Sequence, residues 1–112
     1  MARFTRRARV RTARDYTAAF ESGSRLRARL FDVVVGKSFS GSPRLGLAVS
    51  RNTAPSAVER NRLKRHIRES FRAHAGSLPA ADIVVLPRKE AAGSRATELR
   101  RELEQLWERI EQ

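Results

Sequence analysis

The stretch Glu59-Arg60-Asn61-Arg62-Leu63-Lys64-Arg65-His66-Ile67-Arg68-Glu69-Ser70-Phe71-Arg72 decides how this chain is read. At about 100° per residue, Leu63, Ile67 and Phe71 fall within roughly 80° of one another and form the buried stripe of an amphipathic helix. Asn61, Arg65, Arg68 and Arg72 fall within about 60° on the opposite side, with Lys64 and Arg62 as flanks. Arg60 falls near the apolar side, so it either reaches around the first turn or serves the fold. Just upstream, Ser56-Ala57-Val58-Glu59 has the form of a capping box, in which the Ser hydroxyl and the Glu carboxylate satisfy the first free amides. The helix is predicted to run from there to about Ala75, with Gly76 as its stop.

An ordinary amphipathic helix mixes both signs of charge on its wet face. Here Glu69 is the only acid in the second half of the segment. Like charges at i,i+4 repel by a few tenths of a kcal/mol per pair. A phosphate backbone converts that repulsion into attraction by releasing counterions. The strip therefore points to nucleic acid. The residues alone leave DNA and RNA open, because a recognition helix in a major groove would look much the same.

Working outward, Arg44 to Ser50 alternates Leu45, Leu47 and Val49 against Arg44, Gly46, Ala48 and Ser50, the period of a half-buried strand. Asp82 to Leu86 is a short apolar run closed by Pro87, as in a buried strand. A further strand is predicted from about Ala28 to Lys37, through Val33, Val34 and Val35, followed by a loop from Ser38 to Pro43. Near the start, Thr12 offers an N-cap with Asp15 three residues on, opening a short helix from Ala13 to Ser22 that Gly23 ends. Its apolar side holds Tyr16, Ala19 and Phe20. Gly93 and Ser94 introduce a last helix with Leu99, Leu103, Leu106, Trp107 and Ile110 at core spacing. The predicted order is helix, strand, strand, helix, strand, helix, an α+β protein with helices packed on a small sheet.

The chain has 112 residues and a net charge of +12. It is read as a flexible basic arm, 1–11, carrying Arg3, Arg6, Arg7, Arg9 and Arg11, then one domain, 12–112. Residues 1–72 hold 18 Arg or Lys against five acids, whereas residues 73–112 hold six against seven, so the positive field is confined to the first part. Cysteine is absent, which excludes disulfides and thiolate metal sites and suits a cytoplasmic location. No apolar run is long enough to cross a bilayer, so no membrane partner is expected. The start lacks the apolar stretch of a secretory signal, and an organelle transit peptide is disfavoured because structure is predicted from about Thr12.

The central helix also carries a resemblance. Arg60-Asn61-Arg62-Leu63-Lys64-Arg65-His66-Ile67-Arg68-Glu69-Ser70-Phe71-Arg72 resembles the signature helix of the bacterial ribonuclease P protein family, which begins Arg-Asn-Arg. Arg44 to Ser50 is similar to the strand before that helix, and Ala81 to Leu86 to the strand after it. Asp15, Tyr16 and Phe20 resemble the family's first helix. The resemblance implies a two-layer α/β sandwich like the second domain of ribosomal protein S5, with three helices and a left-handed βαβ crossover, against the usual hand. It also implies a protein that binds the catalytic RNA of ribonuclease P and assists removal of 5′ leaders from precursor tRNA, with Mg²⁺ held through the RNA. The implied contacts to the catalytic RNA are Arg60, Asn61, Arg62, Lys64, Arg65, Arg68 and Arg72. Tyr16, Phe20, Phe31 and Arg51 would line a cleft for the single-stranded leader, although core packing explains the three aromatics equally well. Two differences stand out. The loop Arg51-Asn52-Thr53-Ala54-Pro55 lacks the family's glycine, and Val34 replaces a frequent aromatic.

Unaided cleavage of RNA would need paired carboxylates or a His acid–base pair. His66 and His74 lie two turns apart with no acid arranged to orient either, so no catalytic residue and no protein-bound metal is expected. The competing readings are a structural ribosomal-type RNA-binding protein and a DNA-binding regulator. DNA is not the expected partner.

Overall fold

The computed structural model describes residues 13–37 and 41–111. The basic arm, the Thr12 cap and the first residues of the Ser38 loop lie outside them. The elements are α1 (Ala13–Ser22), β1 (Ser24–Arg27), β2 (Phe31–Lys37), β3 (Arg44–Leu47), α2 (Ala57–His74), β4 (Ala81–Pro87) and α3 (Ala96–Glu111), with single 3₁₀ turns at Ala75–Ser77 and Lys89–Ala91. The four strands form one sheet in the order β1-β2-β4-β3. β1 and β4 run antiparallel to β2, and β3 runs parallel to β4, so α2 is the crossover between two neighbouring parallel strands.

Both faces of the sheet carry helices, fully on one and partly on the other, which is why β2 and β4 read as largely apolar runs rather than alternations. On one face Phe31, Val33, Ile83, Val85 and Leu45 meet Leu63, Ile67 and Phe71 of α2 and Leu99, Leu103, Leu106 and Trp107 of α3 in the main core. Each such side chain withdrawn from water contributes roughly 1.5–3 kcal/mol before entropy is counted. Phe71 and Trp107 meet edge to face, with ring centroids 5.9 Å apart. The indole Nε1 donates to Ser70 Oγ at 2.8 Å, so the one polar atom of the largest core residue is satisfied. On the other face Val34 and Val84 receive Ala19 of α1, with Tyr16, Ala48 and Leu86 around them.

Two glycines let α1 lie this close. A Cβ on Gly36 would sit 2.7 Å from the Cα of Ala19, and one on Gly23 only 2.7 Å from Val34 Cγ1. Gly23 thus serves close approach rather than a left-handed helix end, since positive φ occurs only at Gly41 and Gly93 among the described residues.

Several sequence expectations change. The strand predicted over 28–37 starts only at Phe31: residues 28–30 form a tight turn, closed by the Ala28 N–H donating to Phe31 O (2.9 Å), that reverses the chain from β1, a strand the sequence did not suggest. β3 stops at Leu47 rather than Ser50. α2 ends at His74, where the chain tightens into the 3₁₀ turn, and Gly76 follows that end without terminating it. Only half of the capping box forms: Ser56 Oγ accepts from the Glu59 N–H at 3.4 Å, but the Glu59 carboxylate turns to other partners.

Candidate nucleic-acid interface

The sequence of α2 divides its side chains as the helical period requires. Leu63, Ile67 and Phe71 are buried, with Ser70 beside them, while Asn61, Arg65 and Arg72 are exposed and Lys64 and Arg68 half-buried. Among the described residues no acid lies within ion-pair distance of Lys64, Arg65, Arg68 or Arg72. The acid closest in sequence, Glu69, is engaged by Arg100 of α3. Four cations are thus left facing water on three turns of one helix. Val58, 80% exposed, stands at the N-terminal end of the same strip. In the sequence a valine in a first turn carries no signal of its own.

Arg60 and Arg62, expected among the RNA contacts, turn instead to partners within the protein. Arg60 Nη1 donates to the carbonyl oxygens of Ala54 (2.9 Å) and Pro55 (2.8 Å), folding back over the loop that enters the helix. Arg62 grips both Glu59 oxygens, at 2.8 and 2.9 Å, and donates to Ser94 O at 2.7 Å. Glu59 in turn accepts from the Gly93 N–H at 2.8 Å. The first guanidinium closes the N-terminal loop, and the second ties α2 to the segment before α3. The Arg62 fork is the leading cause that holds the Glu59 carboxyl below its usual value of 4.5, helped by the Gly93 amide and opposed by partial burial.

His66 flanks the strip on the side of α3. Its Nδ1 accepts from Arg100 Nε at 3.1 Å. Burial first, then the charges of Arg100, Arg62 and Arg65, hold its pKa below 6.5 despite Glu69 nearby. His74 has its Nδ1 2.9 Å from Ser70 O and is an end-of-helix residue. The two histidines therefore have separate partners. Among the described residues no three His, Asp or Glu gather as a metal-binding group.

The expected leader-cleft residues divide as well. Phe31 is fully buried in the main core, on the face away from α1, so it cannot line a cleft with Tyr16; β2 alternation assigns it inward. Phe20 is 42% exposed on α1. Tyr16 is half-buried, and its hydroxyl donates to Leu47 O (3.3 Å) and accepts from Leu47 N–H (3.1 Å). Beside Tyr16 opens a groove of about 390 Å³ lined by Ala48, Val49, Ser50, Thr53, Leu86 and Pro87. Arg51 is exposed in the turn that borders it. Arg44, expected on a polar strand face, is held through two bonds by the buried Asp82, at 2.7 and 2.6 Å. No described helix is long and apolar enough to cross a membrane.

Fold and site together define a class: a small α+β protein that carries a cationic strip along one helix and keeps a partly apolar groove on the other side of its sheet. Comparison with known proteins gives the family. The ribonuclease P family pattern matches residues 4–111. The chain is 37% identical over 107 residues to the ribonuclease P protein component of Aliivibrio fischeri, covering 96% of this chain and 92% of that one. It is 39% identical over 109 residues to that of Chromohalobacter salexigens, covering 96% and 85%. Among solved structures, the RNase P protein of Staphylococcus aureus superposes with a TM-score of 0.84 at 29% identity, covering 90% of this chain and 93% of that one. The Thermotoga maritima RNase P protein bound to 1-(4-fluorophenyl)-2-thiourea gives 0.83 at 36% identity, covering 91% and 99%. The chain belongs to the bacterial ribonuclease P protein component family. Its role is that of the protein subunit in a tRNA-processing ribonucleoprotein enzyme that works with an RNA subunit.

Proposed function

We propose that the α2 strip of Asn61, Lys64, Arg65, Arg68 and Arg72 is the surface that docks on the catalytic RNA, and that the groove beside α1 receives the 5′ leader of precursor tRNA. The observation that carries the first half is the absence of acidic partners for the strip's cations among the described residues. Cations that fold without internal partners repel one another, and phosphates relieve that repulsion. Arg60 and Arg62 hold the helix in place behind them.

The second half rests on chemistry suited to single strands. Tyr16 and Phe20 offer rings, Ala48, Leu86 and Pro87 offer an apolar floor, and Arg51 offers a cation at the border. Stacking of a base on such a ring is worth about 1–3 kcal/mol and tolerates many sequences. Mg²⁺ belongs to the RNA in this reading. The protein's carboxylates are dispersed, and Glu59, Glu69 and Asp82 are engaged by arginines, so they offer no donor set. The protein positions RNA and substrate, with structured RNA rather than DNA as its partner and the cytoplasm as its place of work.

Reconstitution with a bacterial ribonuclease P RNA at low Mg²⁺ tests this. Mature tRNA 5′ ends should form faster with the protein than with RNA alone, and duplex DNA should compete poorly. No acceleration would favour a structural ribosomal-type role, and strong competition by duplex DNA would favour a DNA-binding one.

A further inference from the structure

The sheet face that carries α1 is only partly covered, and its register places the uncovered residues in a row. Arg27 of β1 pairs with Asp32 of β2, and Asp32 pairs with Leu86 of β4. Ala48, just beyond β3, shares the groove with Leu86. At about 4.8 Å per strand, the row Ala48, Leu86, Asp32, Arg27 crosses the sheet in roughly 14 Å. The adjacent row ends on Arg25, the partner of Val34, which Ala19 covers. Tyr16 packs beside the first two residues of the open row, and Phe20 stands one helical turn further on the same side of α1. The row is therefore a lane, with rings along one wall and an apolar start.

Its far end is cationic. Arg25 and Arg27 are both exposed, on the same face as Val34 and Asp32, and neither has an ion-pair partner among the described residues. The acid best placed to neutralise Arg27, Asp32, is engaged by Arg88 at 3.1 Å. The next arginine, Arg29, differs: it pairs with Glu98 of α3 at 3.6 Å. The backbone of β1 is steadied as well, since Arg109 Nη1 donates to Arg27 O. An edge strand with two unpaired guanidinium groups on the lane's side matches the backbone of a single strand leaving the lane.

We propose that Arg25 and Arg27 form the distal end of the leader path, taking backbone phosphates of nucleotides upstream of those that lie along Tyr16 and Phe20. This rests on the leader reading of the groove and extends it to a separate element, β1. It predicts a contact that depends on leader length and not on leader sequence.

The test uses reconstituted holoenzyme and precursor tRNAs whose leaders are graded in length. Relative to the unmodified protein, Arg25→Gln with Arg27→Gln should lower affinity for long-leader substrate by roughly tenfold and flatten its salt dependence by about 0.7 per lost phosphate contact. Affinity for short-leader substrate and for the catalytic RNA should stay the same. Arg25→Lys with Arg27→Lys should retain most of the long-leader affinity, because a point charge still meets phosphate. Equal loss at every leader length, or no loss at any, overturns the proposal. Phe20→Ala separates the two layers of inference. If it weakens leader binding while the β1 double variant does not, only the extension fails; if neither variant has any leader-dependent effect, the groove reading fails with it.

Discussion

Arg62→Gln separates a clamp from a phosphate contact. Arg62 makes three hydrogen bonds, two to Glu59 and one to Ser94 O, with its side chain 25% exposed and that of Glu59 23% exposed. Charge-assisted bonds contribute about 1.5–3 kcal/mol each when sheltered, and an exposed pair contributes about 1 kcal/mol or less. For a half-sheltered set that holds two segments together, the expected loss is roughly 1–2 kcal/mol. In a chain of this size that lowers Tm by about 5–10 °C. Binding to the catalytic RNA, titrated across a series of salt concentrations, should keep its slope, because no phosphate contact is removed. Arg65→Gln should do the reverse: Tm unchanged and the slope shallower by about 0.7–0.9. If Arg62→Gln leaves Tm where it is and flattens the salt slope, Arg62 is a phosphate ligand and the clamp argument is wrong.

Arg65→Glu with Arg68→Glu should abolish most binding to the catalytic RNA while far-UV circular dichroism and Tm stay near those of the unmodified protein; unfolding would contradict the outward placement of both residues. Gly36→Ala should destabilise by about 1–3 kcal/mol, read as a lowered denaturant midpoint, because the new Cβ meets the backbone of α1. Lowering the pH should expose the His66 contact. Its folded pKa lies below 6.5, so the fold binds this proton less readily than the unfolded chain does. The stability linked to the neutral ring is complete above pH 6.5 and is lost as pH falls below that value through the folded pKa. The Glu59 contribution, set by a carboxyl held below 4.5, is lost only in more acid solution. Tm measured from pH 7 to 5 should therefore fall more for the unmodified protein than for His66→Gln, and parallel curves would refute the assignment.

The parts legible in the sequence are those where one physical signal dominates. The period of α2 separates Leu63, Ile67 and Phe71 from Arg65, Arg68 and Arg72 without ambiguity, and the apolar stripe of α3 reads equally well. β1 is invisible because Ser24-Arg25-Leu26-Arg27 offers a single apolar residue, and the turn after it, Ala28-Arg29-Leu30, contains none of the glycine, asparagine or proline that marks a reversal. The same shortage of signal hid Arg25 and Arg27 among many arginines, until the strand register assigned them a face. Phe31 could not be resolved from sequence, since an aromatic on a strand buried on both sides carries no mark of which helix layer it meets. Arg60 and Arg62 have the residue type of RNA ligands and the position of N-terminal clamps. Their carbonyl and carboxylate partners, which favour the clamp, are not visible in the sequence.

The hydroxyl of Tyr16 sits on the outer rim of β3, where it answers both the amide and the carbonyl of Leu47. A bare rim of that kind is a template on which another polypeptide can add a strand, the first step toward aggregates. One phenol thus occupies the outward amide and carbonyl of Leu47, so an incoming strand cannot pair with the edge at that residue.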